Sequence, residues 1–137
     1  MDAGRHPNIE LLSYSEVEQL SGYVGSFSAR IRKRARSVNE DLCTGCGLCQ
    51  EKCPRRVVDT AYEAGMGRRK AIYQPFSQAI PNIPVIDRDE CLFFTKGRCK
   101  LCEKACPTGA IYFDQEDQLL DVRVGAIVVA TGFAMWD

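Results

Sequence analysis

The stretch CTGCGLCQEKCP, Cys43 to Pro54, limits what this chain can fold into more than any other. It places cysteines at 43, 46, 49 and 53 with proline directly after the fourth, the spacing that wraps a cubane iron–sulfur cluster of the 4Fe–4S type. Three thiolates in a tight loop reach three corners of one cubane. The fourth, one helical turn on, points away toward a second cluster. A partner run is therefore needed, and it follows at Cys91, Cys99, Cys102 and Cys106, again ahead of a proline. The predicted ligand sets are crossed. Cys43, Cys46, Cys49 and Cys106 are expected to hold one cluster, and Cys53, Cys91, Cys99 and Cys102 the other.

The second run carries seven residues, LFFTKGR, between Cys91 and Cys99, where the first has two between its leading pair. A short loop can absorb them, and Phe93 and Phe94 are expected either to screen that cluster from water or to join the core. GLCQEKCPRRVV and KLCEKACPTGAI align without gaps, so the halves are expected to be pseudo-symmetric. Gly45 and Gly47 leave room for a loop that turns backbone N–H groups toward the cluster sulfurs. Leu48 and Val57 are expected to cover the cluster with apolar surface.

At 137 residues the chain has room for one ordinary domain, or a small domain with flanking pieces. All eight cysteines lie in the two runs, and neither a signal peptide nor a long apolar stretch is read at the ends. Metal ligands kept reduced in the cytoplasm are therefore favoured over disulfides of a secreted protein, and no membrane attachment is expected. Formal charge is zero, from 18 basic and 18 acidic residues. Each oxidised cluster with four thiolates carries roughly −2, which brings the loaded chain to about −4 and disfavours nucleic acid as a partner.

Taken in order, Ile9 to Tyr14 reads as a short buried strand. Ser15 reads as the cap of a helical turn through Glu18 and Leu20, broken by Gly22 and Gly25. From Phe27 to Val38, apolar Phe27, Ala29 and Ile31 alternate with Arg30, Arg32, Arg34 and Arg36. That arginine row suits a docking strip for an acidic partner or a phosphate; the plainer reading, a solvated strand face or protected edge, is preferred. His6 is given no role. Gly47 to Cys53 is predicted to be a short helix ended by Pro54, with Val57 to Thr60 extended behind it.

Residues 63 to 86 form a spacer in which Gly65-Met66-Gly67 is a turn and Arg68, Arg69 and Lys70 a basic cluster. Pro75, Pro81 and Pro84 keep the rest extended. A dinucleotide fingerprint is rejected there, since the third glycine and the strand-turn-helix context are missing. The spacer's length suggests a surface for a neighbouring protein. Beyond Cys106, strands are predicted at Ala110 to Phe113 and Leu119 to Val124, around a polar turn at Gln115 to Asp117. The run GAIVVATGF, Gly125 to Phe133, reads as a strand buried on both faces in a larger sheet whose other strands are absent here.

The cluster runs, the opening HPNIELLSYSEVEQLSGYVGSF, the spacer RRKAIYQPFSQAIP and the closing GAIVVATGF together resemble the iron–sulfur flavoprotein subunit of heterodisulfide reductase along essentially the whole chain. The resemblance implies an α+β, ferredoxin-like two-cluster module with short helices and small antiparallel sheets. That module would occupy residues 39–121, inserted into a thioredoxin-reductase-like flavoprotein domain that contributes flanks 1–38 and 122–137. It implies FAD in a full-length protein, near Thr131 and Gly132 of the ATG motif, but not in this chain, which has no Gly-rich flavin fingerprint. It also implies single-electron relay between flavin and partners. Those partners would be the other subunits of a reductase complex, and redox proteins such as a hydrogenase or a formate dehydrogenase.

Rival readings are a free-standing ferredoxin, which the flanking strands argue against, and a structural zinc module. CxxC pairs also suit zinc, but zinc sites rarely take a third cysteine two residues on and a fourth ahead of proline. A third rival, clusters kept for structure alone, fits poorly with two clusters in mutual reach. No nucleophile, acid–base pair or substrate pocket is read from the sequence, so the expected chemistry is transfer and no catalytic residue is assigned.

Overall fold

In a computed structural model, which describes residue 4 and residues 6–60 and 64–132, small antiparallel sheets surround three one-turn-scale helices. The first hairpin joins β1 (Ser15–Tyr23) to β2 (Ser26–Lys33) through a two-residue turn, Val24-Gly25. Gly22 is required just before that turn. Its φ is +102°, and a Cβ there would lie 2.2 Å from the Ser26 carbonyl oxygen. The helical turn expected from Ser15 is therefore replaced by strand. Glu16 and Glu18, which flank Val17, pair across the hairpin with Arg32 of β2, and Glu16 also with Arg34 just beyond it; this cross-strand attraction overrides a weak capping signal.

The third strand of this sheet comes from the far end of the chain. β7 (Gln118–Val124) pairs antiparallel with β2, setting Asp121 opposite Arg30 with a 3.0 Å ion pair. Arg30, Arg32 and Arg34 are thus neutralised locally, in line with a half-exposed strand face. Arg36, beyond the strand, departs from that reading. It is buried, contacts Glu40 at 3.0 Å and donates to Ser13 Oγ at 2.6 Å. Ile9 to Tyr14 forms no strand, and Ile9, Leu11 and Tyr14 are exposed; no neighbouring strand offers that segment a ladder.

The rest of the fold holds the cysteines. Helix α1 (Leu48–Lys52) is followed by the hairpin β3 (Arg56–Asp59) and β4 (Gly67–Lys70), and then by the short pair β5 (Ile72–Tyr73) and β6 (Val85–Ile86). Helices α2 (Leu92–Lys96) and α3 (Leu101–Ala105) complete it, with α3 packed against α1. The spacer also supplies core: Ile72, Val85 and Ile86 are at most 2% exposed. Ile72 and Ile86 pack against the cysteine loops, where they join Val38, Ala110 and Ile111, while Met66, Phe76 and Ile80 stay exposed. Of the strand predicted at Ala110 to Phe113, a single bridge forms, Ile111 to Val38.

The closing run forms no strand among the described residues. As far as residue 132 it is irregular rather than strand, with Val128 91% exposed, because no described strand stands beside it to accept its ladder. Phe133 lies outside the described residues. No described helix is long and apolar enough to cross a membrane. Truncating the core tests this architecture. Ile86→Ala should cost about 2–5 kcal/mol and lower the denaturant midpoint followed by circular dichroism, whereas Val128→Ala should leave it nearly unchanged.

Candidate metal centre

Each cysteine run is launched by the same backbone device. Asn39 Oδ1 accepts the N–H groups of Asp41 and Leu42 at 2.9 and 3.1 Å, while the Asn39 carbonyl accepts that of Cys43 at 3.1 Å. Asp87 repeats it: Oδ1 accepts from Asp89 and Glu90 at 3.2 and 3.3 Å, and the carbonyl from Cys91 at 2.9 Å. An Asx residue four positions before the first cysteine thus turns the chain into the ligand loop in both halves. Sequence reasoning missed the pair, although NEDLC and DRDEC show it on inspection.

The runs close alike as well. Cys53 caps the C-terminus of α1 and Cys106 that of α3, both extended, with N–H groups donating to Gln50 and Glu103 at 3.3 and 3.2 Å. Proline after each cannot continue the helix. Gly45 is fixed by tertiary contact: its φ is +69°, and a Cβ would lie 2.7 Å from the Asn82 carbonyl oxygen.

The eight thiols are gathered into two groups. Cys43, Cys46, Cys49 and Cys106 line one narrow cavity. Cys53, Cys91, Cys99 and Cys102 line another. Val38, Pro84, Ala110 and Ile111 cover the first, and Ala71, Ile72, Ile86 and Leu92 the second. The apolar cover is therefore not the expected one. Leu48 faces outward, 38% exposed, and Val57, buried in β3, lines neither cavity.

Phe93 and Phe94 do not line a cavity either. The seven-residue insertion folds as α2, ended by left-handed Gly97, and its rings pack on Phe113, Phe93 with a centroid separation of 4.1 Å. Leu92, one residue earlier, takes the cavity position. Thr131 and Gly132, the expected flavin contacts, are exposed and line neither cavity.

This arrangement suits a cubane. Among the described residues no three Cys, His, Asp or Glu side chains converge closely enough to hold one metal. The thiols instead ring a space, as one thiolate per iron corner requires. Burial raises the pKa of Cys49 to about 11 and of Cys102 to about 12, so both are neutral thiols at pH 7 without metal. Cys106 differs. Burial opposes its ionisation, but the Thr108 hydroxyl and the N–H groups of Ala110, Thr108 and Gly109 outweigh it and lower the pKa. The Ala110 N–H donates to its sulfur at 3.2 Å.

The loop-launching turn and the raised thiols are both open to test. Asn39→Ala removes one acceptor for two loop N–H groups and should destabilise the chain by roughly 1 kcal/mol, with faster iron loss to a chelator, whereas Asn39→Asp should retain it. The raised thiols favour the protonated folded state. In the metal-free reduced chain their contribution is whole below the ordinary thiol value and is lost as pH climbs through about 11 and 12. Denaturant midpoints should fall across that alkaline limb, and Cys49→Ala with Cys102→Ala should flatten the fall.

Comparison with known proteins agrees with this geometry. Residues 42–110 match the family described as 4Fe-4S dicluster domain. A CoB--CoM heterodisulfide reductase iron-sulfur subunit of Methanopyrus kandleri is 47% identical over the whole chain. An H(2):CoB-CoM heterodisulfide,ferredoxin reductase subunit of Methanothermobacter thermautotrophicus is 44% identical, and an H(2)/formate:CoB-CoM heterodisulfide,ferredoxin reductase subunit of Methanococcus maripaludis 42%, again over all of it. The chain spans about 20% of the length of each of these relatives. The resemblance to the heterodisulfide reductase iron–sulfur subunit thus holds from end to end of the chain.

Proposed function

Because the chain belongs to the family of 4Fe-4S dicluster domains, we propose that it is a single-electron relay inside a flavoprotein like the iron–sulfur subunit of heterodisulfide reductase. The observation that carries this reading is the pair of cavities, each lined by three cysteines of one run and the last of the other. In this reading Cys43, Cys46, Cys49 and Cys106 hold one cluster, and Cys53, Cys91, Cys99 and Cys102 hold the other.

A bound 4Fe–4S cluster supplies a one-electron couple that needs little rearrangement of its ligands. The chain's own residues do the remainder. Cys49 lies in α1 and Cys53 caps its C-terminus four positions on, about 6 Å of helical rise. Cys102 and Cys106 are related in the same way on α3. Each helix therefore holds a thiol at both sites and keeps them a turn apart, which makes a short path. Val38 and Ile111 at one site, and Ile72 and Ile86 at the other, exclude water. The Ala110 N–H and Thr108 hydroxyl place positive dipoles at the Cys106 sulfur, which stabilise added negative charge.

In the longer protein, residues 1–38 and 122–137 would be pieces of the flavin domain, with Thr131 and Gly132 near FAD. The relay would then run between that flavin and the partners of a cytoplasmic reductase complex. The relatives' names couple hydrogen or formate, ferredoxin and the CoB-CoM heterodisulfide; extended to this chain, they make a hydrogenase, a formate dehydrogenase and ferredoxin the candidate donors and acceptors.

Iron and acid-labile sulfide should each reach about eight per reconstituted chain. Reduction should give a spin-coupled EPR signal from two clusters. Cys53→Ser should damage the second site, and Cys106→Ser the first; the reverse pattern would refute the crossed ligation. Zinc without sulfide would overturn the relay altogether.

A further inference from the structure

Next to the second cysteine cavity lies an open groove of about 400 Å³ lined by Arg55, Arg56, Arg68 and Arg69 together with Asp87 and Glu90. Both carboxylates are engaged. Glu90 accepts from Arg55 Nε at 3.2 Å, and Asp87 from Arg69 Nη2 at 2.7 Å. Arg56 and Arg68 are exposed and form no ion pair with a described residue.

Strand register explains how these charges are presented. Arg56 stands opposite Lys70, and Val58 opposite Arg68. Opposed residues share a face, as do alternate ones, so Arg56, Lys70 and Arg68 surround Val58, itself 49% exposed. This basic row touches the metal site. Lys70 Nζ donates to the Cys53 carbonyl, and Arg55 lines both the groove and the Cys53 cavity.

We propose that this hairpin face is the docking surface for an acidic redox protein that exchanges single electrons with the site of Cys53, Cys91, Cys99 and Cys102; the proposal rests on the relay reading. Charge complementarity identifies the occupant. A small anion would need convergent donors, but those of Arg55 and Arg69 are already taken, and Arg56 and Arg68, which form no ion pair with a described residue, flank an apolar side chain on a flat strand face. Such a row suits an extended acidic surface with a small apolar centre. The row also works against the roughly −4 charge of the loaded chain, which would otherwise repel an anionic partner. In the exchange, one electron leaves the partner's reduced centre and arrives at the second site. No bond is made or broken and no proton moves.

The test mixes the cluster-loaded full chain, in a stopped-flow instrument, with a small acidic bacterial ferredoxin reduced beforehand. Arg56→Glu with Arg68→Glu should slow the second-order reduction at low salt by about tenfold or more and flatten its salt dependence. Photoreduction by deazaflavin, and iron content, should stay as in the unmodified chain. Were the reversal to cost iron, Arg56→Gln with Arg68→Gln and the salt series on the unmodified chain decide. A rate in the unmodified chain that is flat or rises with salt would overturn the proposal, as would equal rates in variants with intact iron. Pyrophosphate binding by calorimetry that leaves the ferredoxin rate untouched would assign the groove to a small anion and overturn it too. Failure of deazaflavin to reduce the unmodified chain is a different result, since it would remove the relay reading and this proposal with it.

Discussion

Three residues of helix separate Cys49 from Cys53, and three separate Cys102 from Cys106, and the rest of the molecule depends on that spacing. One turn is long enough to carry a sulfur from one cavity to the next and too short to let the cavities drift apart. The helices themselves are only five residues each, far below the length at which a helix persists alone in water. They are held by packing on one another and by what lies between their cysteines. The largest fully buried side chains are Ile72, Ile86, Val38, Val85, Pro84 and Ser37, a small core for a chain of 137 residues. With so little aliphatic burial, ligand–metal bonds are part of the folding energy and not an addition to a finished fold.

The two halves are built to one plan with different materials. Asn39 and Asp87 start the two ligand loops by the same three hydrogen bonds, but Asp87 also holds Arg69, so it joins the second loop to the basic hairpin. The first loop has its counterpart in Arg36, buried against Glu40, Ser13 and the Ile83 carbonyl. An arginine thus braces each loop from outside. In the first half it ties in the N-terminal segment, and in the second the spacer.

The cysteine chemistry is legible because thiol spacing is a local property, set by loop and helix geometry that needs no tertiary partner. The same locality explains the helix at Leu48–Lys52 and the strand at Gln118–Val124. What cannot be read depends on distant residues. Ser15 with Glu18 has the form of a helix start, yet Glu16 and Glu18 find arginines on β2. The alternation of Glu16, Val17 and Glu18 is the competing signal, and it wins once a partner strand is present. Leu48 and Val57 suggest cavity cover only because they neighbour cysteines in sequence. The real cover, Ile72 and Ile86, comes from the spacer, which no pattern links to the metal. Gly125 to Phe133 has the composition of a strand that wants neighbours, and without them the described part of the run stays irregular.

Four cysteines at each cavity do not make the two sites electrically equal. At the first, Cys46 is exposed, and Cys106 takes hydrogen bonds that favour its thiolate. At the second, the lining is aliphatic, and compensation comes from cations at a short distance, with Lys70 on the Cys53 carbonyl and Arg55 at the rim. Dipoles at contact are nearly insensitive to salt, whereas charges at the surface are screened over about 8–10 Å at ordinary ionic strength. The first site therefore carries its stabilisation wherever it is placed, while that of the second depends on whatever covers the arginine groove. Burying that groove under an acidic surface would remove water from the ion pairs and couple the second site to its neighbour. A pseudo-symmetric fold is in this way made directional by its side chains alone.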